Sequence, residues 1–569
     1  MTATGGWTPT AVGVQLQGVG VSPGVVVGPV ARMGGDVPVP PEGGTGAGPA
    51  AEAEAGRAAL EAVAADLEAR AQLAGGEARE VLEAQAMMAR DPGLDGQVGM
   101  LVHEGRSAAR AVYEAFGTYR ELLGGAGEYM AARVADLDDL RDRTVAHLLG
   151  VALPGVPDPG HPFVLVARDL APADTAMLRR DRVLALVTEE GGPTSHTAIL
   201  AKAMEVPAVV ACAGATGLAD GLPVLVDGGS GQVVAAPDDR QVTAARARAE
   251  ARQAARRAAA GPGATADGQL VGLLANVGGA ADAAAAAAAG AEGVGLFRTE
   301  LLFLDRTDPP TRDEQAAAYQ AVFDAFPRGR VVVRTLDAGA DKPLAFLDLG
   351  QEANPALGIR GLRATRRHPD LLATQLDAIA QAAAGSQAEV WVMAPMVATA
   401  EETAWFCAQV HERPVQRAGV MIEVPAAALM AEAILASADF VSLGTNDLAQ
   451  YTFAADRLVG ALAGLQSPWQ PALLKLVAAV AQAGQALGKP VGVCGEAAGD
   501  PVLALVLVGA GVTSLSMAPV SLADVRTLLG RHTLQECRRL AGLALAAPDA
   551  EAARARVRMA TPLLDELGL

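Results

Sequence analysis

The sequence predicts a multidomain α/β protein in which a small α/β domain, interrupted by an inserted helical bundle, is followed by a (β/α)8 barrel. Three observations support this fold class. From residue 269 onward, short apolar runs alternate with helical stretches. Residues 51–150 alternate apolar and charged positions at helical spacing. Strand-like segments stand on both sides of that helical block.

The first β-rich segment, residues 16–33, is too short to bury its own apolar face and must pair with strands later in the chain. A Gly- and Pro-rich linker follows at 34–49, and residues 51–150 read as a small antiparallel helical bundle. The β signal returns at residue 163. We therefore expect the N-terminal segment to join this later domain and the helical bundle to be an insertion within it.

The most informative stretch is residues 191–210, GGPTSHTAILAKAMEVPAVV. Its apolar spacing predicts a helix with His196 in the first turn, ending at Val206 because Pro207 disfavours helix before it. Residues 208–211 then read as a short buried strand. Exposed backbone N–H groups and the helix dipole would favour a phosphate carried on the imidazole ring of His196. The alternative is a histidine that only caps or packs locally.

Eight apolar runs after residue 269 match the number of strands in a (β/α)8 barrel. They are LVGLLANV, GVGLFRTE, RVVVRTLD, ALGIRGLR, VWVMAPMV, AGVMIEVP, FVSLGTND and PVGVCGEA. Polar residues follow these runs at the predicted carboxyl ends of the strands, where barrel enzymes build their sites. They are Arg298, Glu300, Arg334, Asp337, Arg360, Glu423, Asn446, Asp447, Cys494 and Glu496.

Arginines on one rim predict a cationic pocket for a small, multiply anionic molecule, because guanidinium groups bind phosphate and carboxylate oxygens in pairs. The candidates are Arg298, Arg334, Arg360 and Arg457. Glu423 and Asp447 supply two carboxylates from neighbouring strands, which is the usual protein share of a Mg²⁺ site. The alternative for these carboxylates is a pair of salt bridges to the arginines.

Cys494 lies among small residues on what we take to be the eighth strand. A thiol at a barrel mouth beside cations can exchange a proton with a bound carbanion, whereas an inert core cysteine is the structural alternative.

Composition limits the classes of function. The chain has 569 residues and a net charge of -19, which argues against a nucleic-acid surface. Four scattered cysteines without zinc spacing and an N-terminus without a secretory signal favour the cytoplasm. The uncharged residues 501–520 contain glycines, serines and a threonine, so we expect a buried helix followed by a strand and no membrane insertion.

The motifs together resemble the Enzyme I family of the bacterial phosphotransferase system, the phosphoenolpyruvate-protein phosphotransferases. The similarity runs from about residue 16 to the C-terminus. It rests on the order and spacing of SPGVVVGPV, VLVARDLAPADTA, GGPTSHTAILAKAMEVPAVV, GVGLFRTELLF, VVVRTLDAGADKP, NPALGIRGLR, MIEVPAA, SLGTNDLAQYT and VGVCGEAAGD.

This resemblance implies that His196 is phosphorylated on Nε2 and that Cys494 protonates enolpyruvate to pyruvate. Glu423 and Asp447 would hold Mg²⁺. The phosphoenolpyruvate-binding residues would be Arg298, Arg334, Arg457, Asn446 and Asp447, with Lys342 and Arg360 completing the anionic site. The helical insertion would dock the phosphocarrier protein HPr, and the barrel would form a homodimer.

We expect the chain to divide into five parts. The phosphohistidine domain would swivel about the linker that connects it to the barrel. The parts are a β segment of the phosphohistidine domain at 1–33, an inserted HPr-binding helical domain at 34–150, the rest of the phosphohistidine domain at 151–237, a helical linker at 238–262, and the phosphoenolpyruvate-binding and dimerisation barrel at 263–569.

The chain departs from the family pattern at Pro193, where arginine is common, and at Leu458-Val459, which replace Gly-Asn. A rival enzyme class is phosphoenolpyruvate synthase or pyruvate phosphate dikinase. Those enzymes need a large ATP-binding domain, and no glycine-rich nucleotide motif of that size precedes His196. A third hypothesis is an idle sensor that binds phosphoenolpyruvate and regulates a partner.

Overall fold

The structure, a computed structural model, describes residues 14–33, 37–42, 48–73, 82, 85–124, 134–151, 155–157, 159–170, 178–192, 196–304, 306–339, 344–347, 349–350, 352–456, 460–567 and 569. The chain divides into two compact units, Met1–Ala247 and Arg248–Leu569.

The first unit contains an eight-stranded mixed sheet. Its strands are β1 (Gln15–Gln17), β2 (Val19–Ser22), β3 (Val25–Arg32), β4 (Phe163–Ala167), β5 (Val183–Thr188), β6 (Ala208–Val210), β7 (Pro223–Asp227) and β8 (Gln232–Ala235). Their order across the sheet is β1-β8-β7-β3-β4-β5-β6-β2. The three N-terminal strands pair with β8, β6, β7 and β4, which confirms that this segment completes its face with strands later in the chain.

Between β3 and β4 the chain forms helices, as the charge and apolar spacing predicts. Those described are α1 (Pro49–Leu73), α2 (Pro92–His103), α3 (Ala108–Gly124) and α4 (Val134–Leu149). They share one apolar core that includes Leu67, Phe116 and Leu140. The buried carboxylate of Glu52 on α1 accepts a hydrogen bond from the backbone N–H of Ala108 at 2.7 Å, so one helix caps another.

Helix α5 (His196–Met204) packs its small residues against one face of the sheet. Ala198 and Ala201 are fully buried among alternate residues of β4 to β6, whereas the intervening strand residues enter a separate core on the other face. The helix ends two residues earlier than predicted, because Glu205 takes a left-handed conformation with φ of 56° before Pro207. A strand then follows at Ala208–Val210, close to the expected position.

The predicted linker forms the helix α6 (Asp239–Ala258), which crosses the boundary between the two units in sequence. In the second unit, the side chain of Arg252 pairs with the buried carboxylate of Asp524 at 2.6 Å.

The second unit is a closed barrel of eight parallel strands. They are β9 (Gly272–Val277), β10 (Gly293–Arg298), β11 (Arg330–Arg334), β12 (Glu389–Val397), β13 (Arg417–Ile422), β14 (Phe440–Leu443), β15 (Val491–Val493) and β16 (Ser514–Met517). The surrounding helices are Ala280–Ala288, Arg312–Asp324, Leu362–Arg367, Pro369–Ala384, Ala400–His411, Pro425–Leu429, Ala431–Ser437, Thr445–Phe453, Pro471–Leu487, Pro501–Ala510, Leu522–Leu529, Leu534–Leu545, Ala550–Met559 and Leu563–Leu567.

One of the eight predicted strands is wrong. The run ALGIRGLR forms a 3-10 turn at Pro355–Leu357 and a helix at Leu362–Arg367, because two glycines interrupt it and Gly361 has a φ of 58°. Only Arg360 touches another strand-like segment, as an isolated bridge to Gly339. The barrel closes instead through β16, which pairs with both β15 and β9. Cys494 therefore follows the seventh strand, and the helix and strand expected within 501–520 are both present.

Candidate functional site

Two of the predicted arginines end neighbouring barrel strands. Arg298 is the last residue of β10 and Arg334 the last of β11, and the two stand opposite each other in the parallel register. The side chain of Arg298 is exposed, whereas Arg334 is 7% exposed. Parallel register therefore brings both to the same rim, as the position of the polar residues predicted.

Arg334 is held by two carboxylates. Glu300 accepts a hydrogen bond from its Nη2 atom, and Oδ2 of Asp337 lies 3.2 Å from its Nη1 atom. Burial alone would lower the pKa of this guanidinium, but the charges of Glu300, Asp337 and Glu423 outweigh it and raise the pKa. Arg334 is thus permanently charged and fixed in direction.

Arg360 lies outside any strand but reaches the same rim, and it is 1% exposed. Its Nε and Nη2 atoms donate to the two oxygens of Asp337 at 3.0 and 3.1 Å. Its Nη1 and Nη2 atoms donate to the two oxygens of Asp447 at 3.0 and 3.4 Å. The salt-bridge alternative weighed from the sequence thus holds for Asp447. Among the described residues of the rim, buried arginines and carboxylates alternate in one network.

The two candidate metal-binding carboxylates come from neighbouring strands, as expected. Glu423 follows β13 and Asp447 lies in the first turn of the helix after β14, and these two strands pair. Glu423 is 1% exposed and accepts a hydrogen bond from the backbone N–H of Met396 at 2.9 Å. Burial, reinforced by the charges of Asp447 and Asp337, raises the pKa of Glu423 to about 8. Glu423 therefore holds its proton at neutral pH, close to the carboxylate of Asp447.

Asn446 and Cys494 belong to adjacent loops of the rim. The side-chain oxygen of Asn446 accepts a hydrogen bond from the backbone N–H of Glu496 at 3.2 Å. Cys494 is 2% exposed, and its Sγ atom lies 3.5 Å from the carbonyl oxygen of Leu443. Burial raises the pKa of this thiol to about 11, against opposing effects of Ser442 and nearby arginines. The group is therefore a protonated thiol at neutral pH.

Sequence reasoning missed a polar tether beneath Cys494. The amide nitrogen of Asn276, on β9, donates to the carbonyl oxygen of Cys494 at 3.1 Å. Ser516, on β16, donates from its Oγ atom to the amide oxygen of Asn276 at 2.7 Å. The only available signal was that a polar residue interrupts each of two apolar runs.

Three family models match consecutive parts of the chain. They are the PEP-utilising enzyme, N-terminal domain at residues 17–133, the mobile domain at 159–231 and the PEP-binding domain at 252–534. A phosphoenolpyruvate-protein phosphotransferase from Streptomyces coelicolor is 58% identical over 95% of this chain and 98% of its own length. The chain belongs to the phosphoenolpyruvate-protein phosphotransferase family, Enzyme I.

Two further relatives are similar to most of this chain. A phosphoenolpyruvate-protein phosphotransferase from Haloferax volcanii is 40% identical over 92% of this chain and 96% of its own length. A multiphosphoryl transfer protein from Xanthomonas campestris is 38% identical over 97% of this chain but only 67% of its own length.

The helix that begins at His196 lies in the region matched by the mobile-domain model. Thr197, the next residue, is 1% exposed and donates from its Oγ1 atom to Asp169 at 3.3 Å, which ties the start of the helix to the loop after β4. The backbone of His196 is at the predicted place in the first turn, and its side chain lies outside what the structure describes. Other sequence-based expectations also fall outside the described residues: Lys342, Arg457, Pro193 and Leu458-Val459.

Within the described ranges, no cluster of three or more His, Cys, Asp or Glu side chains forms a ready metal site. In the same ranges, no helix has both the length and the apolar character needed to cross a membrane.

Proposed function

We propose that this chain transfers the phosphoryl group of phosphoenolpyruvate, through a phosphohistidine at His196, to the phosphocarrier protein HPr. Pyruvate is released, and the reaction is the first step of the sugar phosphotransferase system. One observation carries this proposal: in a chain of the Enzyme I family, a single barrel rim brings together arginines, two neighbouring carboxyl groups and a protonated thiol.

The arginines suit an anionic substrate because guanidinium groups can donate two parallel N–H bonds to phosphate or carboxylate oxygens. Arg298 is exposed at the rim and Arg334 stands beside it in a fixed direction. We assign phosphoenolpyruvate binding to these residues together with Arg457, Asn446 and Asp447, with Lys342 and Arg360 completing the anionic site.

Glu423 and Asp447 fit a divalent metal ion. The pKa of Glu423 is raised to about 8, first by burial and then by the charges of Asp447 and Asp337, so this group gains most from a nearby cation. Enzymes of the family use a metal ion, and we propose Mg²⁺, which takes hard oxygen ligands and keeps positions for water and substrate phosphate. When bound, the metal would offset charge on the transferred phosphoryl group.

His196 acts as the nucleophile. Its Nε2 atom forms a bond to phosphorus while the bond from phosphorus to the enol oxygen breaks, and that oxygen keeps the electron pair. The enolate then takes a proton at carbon from the Sγ–H group of Cys494, and pyruvate results. The thiol is suited to this role because it holds its proton at neutral pH. Covalent catalysis on histidine divides one transfer into two steps.

Transfer requires that His196 meet a substrate bound at the barrel and then HPr. We propose that the helical insertion docks HPr, that the barrel forms a homodimer, and that the protein works in the cytoplasm. The proposed parts are those expected from the sequence: 1–33 and 151–237 for the phosphohistidine domain, 34–150 for the HPr-binding insertion, 238–262 for the linker and 263–569 for the barrel.

One experiment tests the function. The full chain is incubated with phosphoenolpyruvate labelled in its phosphoryl group and Mg²⁺, without ATP, before HPr is added. We expect acid-labile label on the chain that passes to HPr, and none on a His196→Ala variant. Label on that variant would refute the nucleophile, and a requirement for ATP would favour the dikinase class. His161→Ala is the matched control, since His161 is exposed just before β4 and lies outside the proposed HPr-binding insertion.

A further inference from the structure

Asp337 is the one carboxylate of the rim that contacts both buried arginines among the described residues. It follows β11 by three positions and is 0% exposed. Oδ1 and Oδ2 accept hydrogen bonds from Nε and Nη2 of Arg360 at 3.0 and 3.1 Å. Oδ2 also lies 3.2 Å from Nη1 of Arg334. Both carboxylate oxygens of Asp337 therefore contact a guanidinium group.

These contacts fix the orientation of the two guanidinium groups as well as balancing their charge. Two parallel N–H···O bonds hold the plane of the Arg360 guanidinium group relative to the Asp337 carboxylate. The same group then reaches Asp447 with Nη1 at 3.0 Å. Arg334 is held from its other side by Glu300. Asp337 therefore joins two ion-pair systems that would otherwise be separate.

Asp337 differs in its contacts from Glu423, one of the two carboxylates assigned to the metal. Glu423 has a backbone N–H as its hydrogen-bond donor, and its pKa is raised to about 8 by burial and by its acidic neighbours. Both oxygens of Asp337 are instead engaged with guanidinium groups. Both oxygens of Asp447 also accept hydrogen bonds from Arg360, at 3.0 and 3.4 Å, so what sets Asp337 apart is its added contact with Arg334.

We propose that Asp337 is a positioning residue of the reaction: it aims Arg334 and Arg360 at the anionic substrate by holding both guanidinium groups at once. The inference rests on the function proposed above. Arginine side chains have many rotamers, and a displacement of about 1 Å from the productive geometry can slow an enzymatic reaction by about 100-fold. The carboxylate thus acts through the two arginines and does not contact the reacting atoms.

The first test compares Asp337→Asn with Asp377→Asn in the transfer of phosphoryl label to His196. Asp377 pairs with Arg413 at 2.7 Å at the surface of the barrel unit and is half exposed, so it controls for the loss of an ion pair. We expect Asp337→Asn to lower kcat by about 10- to 100-fold, with a change in KM for phosphoenolpyruvate of less than about threefold. The control keeps both parameters. Wild-type kcat in Asp337→Asn would overturn the proposal.

A double-mutant cycle separates positioning from a structural role. Because Lys lacks the planar fork, Arg360→Lys lowers kcat by losing the bond that Asp337 orients. If Asp337 acts through Arg360, the Asp337→Asn/Arg360→Lys variant is about as slow as the slower single variant. Effects that multiply would overturn the proposal.

A further variant keeps the test decisive where Asp337→Asn does not fold. Asp337→Glu retains the charge but adds one methylene, which shifts both guanidinium groups. We expect a folded protein, as judged by tryptophan fluorescence, with kcat lowered at least tenfold; wild-type kcat would refute positioning. Absence of label on His196 in the wild-type chain and the Asp377→Asn control would count against the proposed function itself, which distinguishes the two failures.

Discussion

Replacing Cys494 by Ser tests the proton donor most directly. The thiol is 2% exposed and its pKa is raised to about 11 by burial. At pH 7.5, about 3.5 units lower, roughly one thiol in 3,000 is ionised, so essentially every molecule carries the proton. A general acid contributes about 10²- to 10⁴-fold to a rate. We therefore expect pyruvate formation to slow by a factor in this range.

The assay measures pyruvate release from phosphoenolpyruvate in the presence of Mg²⁺ and HPr. A matched control is Cys407→Ser, since Cys407 is also a buried barrel thiol, with a pKa raised to about 12, but lies in the outer core. Transfer of label from already phosphorylated protein to HPr needs no carbon protonation and should be unchanged in both variants. Equal pyruvate rates in the Cys494→Ser and Cys407→Ser variants would refute the reasoning.

The pH dependence gives a second check on the same residue. Because the folded pKa of Cys494 lies above its ordinary value of 9.0, the protonated thiol persists through neutral and mildly alkaline pH. Its contribution to stability is complete below about pH 9 and is lost as the pH rises through about 11. The wild-type rate should therefore show no loss of the thiol proton near pH 8. An alkaline limb there that disappears in Cys494→Ser would contradict a pKa of about 11.

Three further predictions concern stability, and tryptophan fluorescence can follow them because Trp391, Trp405 and Trp469 all lie in the barrel unit. Arg360→Met removes the arginine partner of the buried Asp447 and one of the two arginines that contact Asp337, and should lower the free energy of unfolding in urea by about 3–5 kcal/mol. Arg366→Met, at an exposed site 3.9 Å from Glu401, should change it by less than about 1 kcal/mol, and equal losses would contradict the network. Gly509→Ala places a methyl group against the backbone of Cys537 and should lower the free energy of unfolding by about 1–3 kcal/mol. Gly542→Ala, where space is open, should leave this free energy unchanged or raise it. No loss in Gly509→Ala would show that the helices Pro501–Ala510 and Leu534–Leu545 can separate. Hydrogen bonds from Thr311 and Arg306 lower the pKa of Glu314 to about 2. The ionised carboxylate therefore stabilises the fold fully above pH 4.5, the ordinary pKa of the group, and this stabilisation is lost as the pH falls through about 2. The difference in unfolding temperature between wild type and Glu314→Gln should shrink over this range, and a constant difference would refute the assignment.

The rim could be predicted from the sequence because it depends on local pattern. Apolar runs identify strands, and the first polar residue after a run falls at the carboxyl end of that strand. This logic placed Arg298, Arg334 and Glu423 correctly. It also placed Asp447 one helical turn beyond its strand. No knowledge of long-range contacts was needed for any of these.

The identity of one strand could not be read in the same way. ALGIRGLR is as apolar as the true strands, but two glycines let its backbone turn. The true eighth strand, Ser514–Met517, has only four residues and alternates serine with apolar residues. Ser516 uses its hydroxyl group inside the barrel to hold Asn276, a contact between positions 240 residues apart. Apolar content alone does not report such pairing.

The ion pairs on the rim could not be predicted from the sequence either, because a sequence gives the sign of each charge but not the partner of each charged group. The described charged groups of the network are Arg298, Arg334, Arg360, Glu300, Asp337, Glu423 and Asp447. The three arginines balance the carboxylates of Glu300, Asp337 and Asp447 while Glu423 holds its proton, as its pKa of about 8 implies at neutral pH, and the formal charge becomes −1 once Glu423 ionises. These groups therefore offer a multiply anionic substrate no net attraction, and their selectivity must come from the directions in which the guanidinium groups point. A divalent cation at Glu423 and Asp447 would change this formal charge to +1. The bound cation would then raise the affinity for the substrate, and the bound substrate would raise the affinity for the cation. Linked binding requires that the two affinities change by the same factor.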